Sequence, residues 1–141
     1  MTVTLLDTGV LYAAIDRSDA RHEVSARMLA TIRGRLLLPT TVLTETSWHV
    51  EKNLGAKSEA AFLMSVARGE LSLVDLVPAD VDRAAELVEM YEDLRLGLVD
   101  ASVIALAERL GVSRVATLDR RHFCAVRPRH VTAFTLLPET L

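Results

Sequence analysis

Apolar runs of two kinds alternate along the chain, some short and continuous, others spaced as helical stripes. Val3 to Leu6 is a β-branched and leucine run that stops at Asp7, which predicts a short strand. An apolar helical segment, Val10 to Ile15, follows. Ser18 and Asp19 supply caps for a helix from Ala20 to about Ile32, whose Val24, Met28 and Ile32 recur at four-residue spacing. Gly34 ends it, and Leu36 to Leu38 predicts a buried strand closed by Pro39. Thr40 is the expected N-cap of a helix through about Asn53, with Gly55 as its stop. Ser58 to Arg68 predicts another helix and Leu71 to Val77 a third strand. Pro78 and Asp80 open a helix to about Leu94, Gly97 breaks the chain, and Val99 to Leu110 is helical. Arg114 to Leu118 and Val131 to Leu136 are the last two expected strands.

This alternation predicts an α/β fold, a parallel central sheet of about four to five strands flanked by helices. No repeat, low-complexity tract or linker divides residues 1–141, so a single domain is expected. In such sheets ligands bind beyond the C-terminal strand ends.

Composition narrows the class. A chain of 141 residues buries about two-thirds of its unfolded surface, enough for one core. Half of it is hydrophobic and a quarter charged, which excludes a disordered chain. The one cysteine, Cys124, excludes an internal disulfide framework, and a structural thiol is expected there. No apolar run is long enough to span a bilayer and no basic segment precedes a signal-like core, so a cytoplasmic protein without membrane contact is expected. The net charge of −3 hides a basic stretch: between Arg109 and His130 stand six arginines and one acid, Asp119. That surplus suits polyanions, although the chain has fourteen arginines throughout and only two lysines.

The acids carry the chemistry. Asp7 and Asp119 both end predicted strands, on the side where a parallel sheet builds its site. Asp100 begins an otherwise apolar helix, and Glu45 falls in the first turns of the helix after Pro39. Each is a lone acid in an apolar or neutral stretch, unlike Glu86, Glu89, Glu92 and Asp93, which are spaced along a polar face. Taken singly, Asp7 and Asp119 have a bland role as helix caps, Asp100 as a dipole acid and Glu45 as an arginine partner. Together, four semi-buried acids from four segments repel one another, and a hard divalent cation resolves that repulsion. Oxygen-only ligands favour Mg²⁺ or Mn²⁺ over zinc.

In order and spacing, Asp7-Thr8, Glu45, Asp100-Ala101 and Thr117-Leu118-Asp119 resemble the PIN-domain ribonucleases, and more narrowly the VapC toxins of bacterial toxin–antitoxin pairs. The resemblance spans essentially the whole chain, including Tyr91 to Ala101 and Arg120-Arg121-His122-Phe123. It departs at Gly9, where many relatives carry serine or alanine, a change that touches only a minor hydrogen bond near the metal. The resemblance implies a Mg²⁺-dependent endoribonuclease, with Mn²⁺ as substitute, that hydrolyses RNA with metal-activated water. It also implies inhibition by a small VapB-like antitoxin and a homodimer. Asp7 and Asp100 are then the expected primary metal ligands, with Glu45 and Asp119 binding directly or through water. Thr8, Ser102 and Thr117 are expected to support them. The competing reading is a catalytically inactive PIN fold kept as an RNA- or protein-binding module, which should have lost acids that this chain keeps. A dehalogenase-type phosphatase would want an aspartate where Gly9 stands, and a receiver domain a lysine on a late strand.

Arg120, Arg121 and His122 directly follow Asp119 and are expected to ring the cleft, holding RNA phosphates or the antitoxin. His49, one turn beyond Glu45, falls on the same helix face. Trp48, Leu54, Phe62 and Leu63 exceed what one core needs and mark the expected dimer surface.

Overall fold

The structure is a computed structural model that describes residues 2–141; Met1, the first residue of the expected domain, lies outside them. Five strands form one sheet: β1 (Val3–Leu6), β2 (Arg35–Pro39), β3 (Ser72–Val74), β4 (Arg114–Ala116) and β5 (Thr135–Leu137). Their order is β3-β2-β1-β4-β5, and every pair is parallel. Seven helices connect them: α1 (Thr8–Ile15), α2 (His22–Thr31), α3 (Thr40–Leu54), α4 (Ala56–Ala67), α5 (Pro78–Met90), α6 (Gly97–Leu110) and α7 (Arg120–Ala125).

The two-residue side-chain period of the strands divides the core. Leu5, Leu37 and Val115 face one side, where Val42, Leu87, Val103, Ile104 and Leu106 of α3, α5 and α6 complete the larger cluster. Leu6, Ala116 and Leu137 face the other side, against Val10 of α1, Met28 of α2 and Ile32 just past its end. Two of the three expected stripe residues, Met28 and Ile32, thus face the sheet, in the manner of a helix that closes a parallel layer, while Val24 belongs to neither cluster.

β1 is central because the chain first builds outward through β2 and β3, then returns to place β4 on its other side. Connections leave β1 and β4 in opposite directions along the sheet, which opens a crevice beyond their C-terminal ends. Asp7 follows β1 directly, and Asp119 lies three residues past β4.

Several element boundaries differ from those expected. The stretch after Ile15 is turned before α2 begins at His22, because the Asp16 carboxylate accepts from the Ser18 amide (3.0 Å) and Asp19 from the Arg21 amide (2.8 Å). These local bonds compete with helix formation, so Ser18 and Asp19 shape a turn and do not cap α2. Pro39 holds the N-cap position of α3, and the Thr40 hydroxyl donates to Asp75 Oδ1 at 2.9 Å. β3 is confined to Ser72–Val74, and β5 starts only at Thr135. α5 stops at Met90, followed by a 3₁₀ turn over Glu92–Leu94. α7, absent from the expected pattern, is a six-residue helix whose N-cap is Asp119.

Candidate functional site

One cleft of about 590 Å³ opens at the crevice, and Asp7, Glu45, Asp100 and Asp119 all line it. Each arrives from a different element: the end of β1, the second turn of α3, the first turn of α6, and the cap of α7. Thr8, Gly9, His49, Arg95 and His122 line the same cleft. The four acids expected to converge therefore do so.

Asp7 is the most enclosed of the four, with 5% of its surface exposed. Its carboxylate does not cap α1. Instead Oδ2 accepts from the Thr117 hydroxyl at 2.8 Å, and the same Thr117 Oγ1 accepts from the Asp119 amide at 2.9 Å. One buried hydroxyl thereby ties the first acid to the backbone of the fourth. Burial, and then the nearby Asp100 charge, push the Asp7 carboxyl up to about 7, although the Thr117 hydrogen bond pulls the other way.

Asp100 is also held above the ordinary carboxylate range. Burial is the main cause, with the charges of Asp119 and Glu45 adding to it and His122 opposing. His122 Nδ1 lies 2.5 Å from Asp100 Oδ2 and 3.1 Å from Asp119 Oδ2, while Nε2 lies 2.8 Å from the Leu94 carbonyl. Both ring nitrogens thus face acceptors, an arrangement that suits the doubly protonated ring. Burial disfavours its charge, but the Asp100 hydrogen bond and the Asp119 and Asp100 charges together raise the His122 pKa above the usual value. His122, expected at the rim as an RNA or antitoxin contact, lies within the acid cluster, against Asp100 and Asp119. Its position follows from α7, whose first turn sets residue 122 three beyond the cap, where its amide donates to Asp119 Oδ1 at 3.2 Å. A predicted helix starting at Asp119 would have located it.

The bland roles fare unevenly. Asp119 does cap a helix. Glu45, half-buried, takes part in no ion pair among the described residues.

The supporting hydroxyls also divide. Thr117 links two acids, and Thr8 lines the cleft with Oγ1 buried and without a hydrogen-bond partner. Ser102 is elsewhere: its hydroxyl donates to the Val99 carbonyl (2.7 Å) and meets Thr41 Oγ1 (2.6 Å), so it fastens α6 to α3. Helix geometry explains this, since two residues beyond Asp100 a side chain has rotated to a different face.

The basic stretch does not gather at the cleft. Arg109 pairs with Asp80 (2.9 Å) and Arg129 with Glu86 (3.1 Å), while Arg114 donates to the Thr4 hydroxyl. Arg120 donates to the Pro138 carbonyl and Arg121 is exposed; neither lines the cleft. The one arginine that does, Arg95, went unmarked because no local pattern singles it out. His49 lines the cleft, with its ring edge-on to Trp48 and Tyr12. Cys124 is exposed and so is not a packed structural thiol.

The donor set fits a hard divalent cation. Asp100 and Asp119 offer carboxylate oxygens within 4.8 Å of one another, and Asp7 and Glu45 line the same cleft with further carboxylates. Beyond burial, neighbouring acid charges help hold Asp7 and Asp100 above the ordinary carboxylate range, a repulsion that such a cation relieves.

Comparison with known proteins agrees with the geometry. The PIN domain family model matches residues 4–127. The chain is 32% identical over 134 residues to Ribonuclease VapC26 of Mycobacterium tuberculosis, covering 95% of this chain and 99% of that protein. Among solved structures it resembles M. tuberculosis VapC20, described as a sarcin-ricin loop cleaving toxin, with a TM-score of 0.75 at 20% identity over 79% of this chain and 86% of that one. It also resembles a toxin–antitoxin complex from Klebsiella pneumoniae, with a TM-score of 0.68 at 18% identity over 91% and 99%. VapBC2 from Rickettsia felis, bound to a DNA fragment from its promoter, gives a TM-score of 0.66 at 17% identity over 96% and 97%. The chain belongs to the PIN domain family and, within it, to the VapC group.

Proposed function

We propose that this protein is a Mg²⁺-dependent endoribonuclease, the toxin of a VapBC-like pair, acting in the cytoplasm as a homodimer and restrained by a VapB-like antitoxin. The observation that carries the reading is the convergence of Asp7, Glu45, Asp100 and Asp119 on one cleft at the switch point of the sheet. The ribonuclease name of the 32% identical relative supports the activity, and the toxin–antitoxin complexes among the fold relatives support the partner. No described helix is long and apolar enough to cross a membrane.

In this reading Asp7 and Asp100 hold Mg²⁺, or Mn²⁺ in its place, and Glu45 and Asp119 complete the set directly or through water. Such an ion, when bound, would neutralise charge at the phosphoryl oxygens and acidify the attacking water. The residues do the rest. Thr117 fixes the Asp7 rotamer and the start of α7 at once, so that two of the four carboxylates keep their spacing. Glu45 lines the same cleft with no ion-pair partner among the described residues, which leaves it free to orient the attacking water and take its proton.

Hydrolysis by water leaves 5′-phosphate and 3′-hydroxyl ends without using the RNA 2′-hydroxyl. Sequencing the cleaved ends of total RNA after induction tests this: 5′-phosphate ends are expected. Fragments ending in 2′,3′-cyclic phosphate would contradict the mechanism.

A further inference from the structure

We infer that Arg95 is a positioning residue for the RNA strand, holding a backbone phosphate at the rim of the acidic cleft. The inference rests on the nuclease reading of that cleft. Four carboxylates line the cleft, and Arg95 is the only arginine or lysine among the described residues that does. A polyanion entering a wall of acids meets repulsion unless a fixed cation offsets it, and a guanidinium binds phosphate bidentately.

The backbone supports the same assignment. Arg95 has φ 51° and ψ 52°, and it is the only residue other than glycine with positive φ among the described residues. Arginine is disfavoured in this left-handed region, and such conformations cluster at ligand clamps where neighbouring structure enforces them. Two contacts enforce this one. The Arg95 amide donates to the Glu92 carbonyl at 3.0 Å, closing the 3₁₀ turn. His122 Nε2 lies against the carbonyl of the preceding Leu94 at 2.8 Å. The ring that touches Asp100 and Asp119 therefore also fixes the turn that carries Arg95, so the backbone of Arg95 is registered to the acids. No carboxylate forms an ion pair with Arg95 among the described residues, and it is exposed, so its charge is available to a ligand.

The test uses Arg95→Gly, because glycine adopts φ 51° readily and keeps the turn. A fluorescein-labelled single-stranded RNA is titrated by anisotropy in EDTA, where no cleavage occurs, over a range of salt concentrations. The glycine variant should melt within a few degrees of the parent yet bind RNA roughly tenfold more weakly. The slope of log affinity against log salt should shrink by about 0.7, the contribution of one phosphate contact on a single strand. Arg95→Lys should retain the slope and recover part of the affinity. In Mg²⁺ the glycine variant should lose through KM more than through kcat. Unchanged affinity and slope in Arg95→Gly, beside a parent that binds and cuts RNA, would overturn the inference alone. A parent that neither binds nor cuts RNA would overturn the nuclease reading and this inference with it.

Discussion

His122 Nδ1 lies 2.5 Å from Asp100 Oδ2, which sets a ring able to carry positive charge against a carboxylate whose environment disfavours its own charge. In the absence of a metal this ring offsets the repulsion between Asp100 and Asp119. His122→Ala removes that counter-charge and leaves the Leu94 carbonyl without its partner. The variant should lose about 1–3 kcal/mol in chelator. It should also gain more from added Mg²⁺ than the parent does, since the acids then depend on the ion alone. Thermal melts with EDTA and with Mg²⁺ measure both effects.

Asp7 makes the metal-free protein sensitive to pH. Its folded pKa is about 7 against an ordinary 3.8, so between those values the native state binds a proton that the unfolded chain does not. That contribution to stability is fully present below about pH 4 and is lost as pH rises through 7. It amounts to at most about 4 kcal/mol. Asp7→Asn should lack the effect, so the stability of the parent relative to this variant should fall from pH 4 to pH 8 in EDTA. His122 acts in the same direction at higher pH, which the comparison with the variant cancels. Urea denaturation across that range provides the values.

Thr117 serves two acids with one hydroxyl, donating to Asp7 and accepting from the Asp119 amide. Thr117→Val keeps the volume but leaves the part-buried Asp119 amide without its acceptor and the buried Asp7 carboxylate without its hydroxyl donor. A loss of about 1–3 kcal/mol is expected. Metal affinity should fall by roughly 10–100-fold, the usual effect of losing such an orienting contact. Isothermal titration with Mn²⁺ reads the second effect directly.

Trp48 is 55% exposed on α3, and Leu63 and Met64 are exposed on α4. Sedimentation should show a concentration-dependent dimer that Trp48→Ser shifts toward monomer. A parent that remains monomeric at every concentration would remove this surface as the dimer contact. Phe62, expected in the same patch, is buried at 6% and belongs to the core.

The sheet and the acids were legible because each strand is a short apolar run and each acid interrupts an apolar segment. Val3–Leu6 and Asp7 needed no tertiary information. The turn at 16–21 was misread because Asp16 and Asp19 bond to amides two residues on, a local choice that looks like capping in sequence. α7 was missed because six residues, fewer than two turns, are too few for an apolar stripe to repeat. His122 and Arg95 entered the site only through tertiary placement, one on that unseen helix and one on a left-handed turn. Ser102 left it because its helix turns the hydroxyl toward Thr41. The arginines of the basic stretch are partly consumed by Asp80 and Glu86, acids distant in sequence.

The central claim is that the four acids form a metal-dependent catalytic cluster, and Asp100→Asn tests it most directly. The substitution keeps the side-chain shape and removes a charge that its surroundings disfavour. In chelator the variant should melt at or above the parent, and Mg²⁺ should stabilise it less. RNA cleavage by the same preparation should fall by orders of magnitude. An Asp100→Asn protein that melts well below the parent in chelator and still cuts RNA at a similar rate would contradict the account.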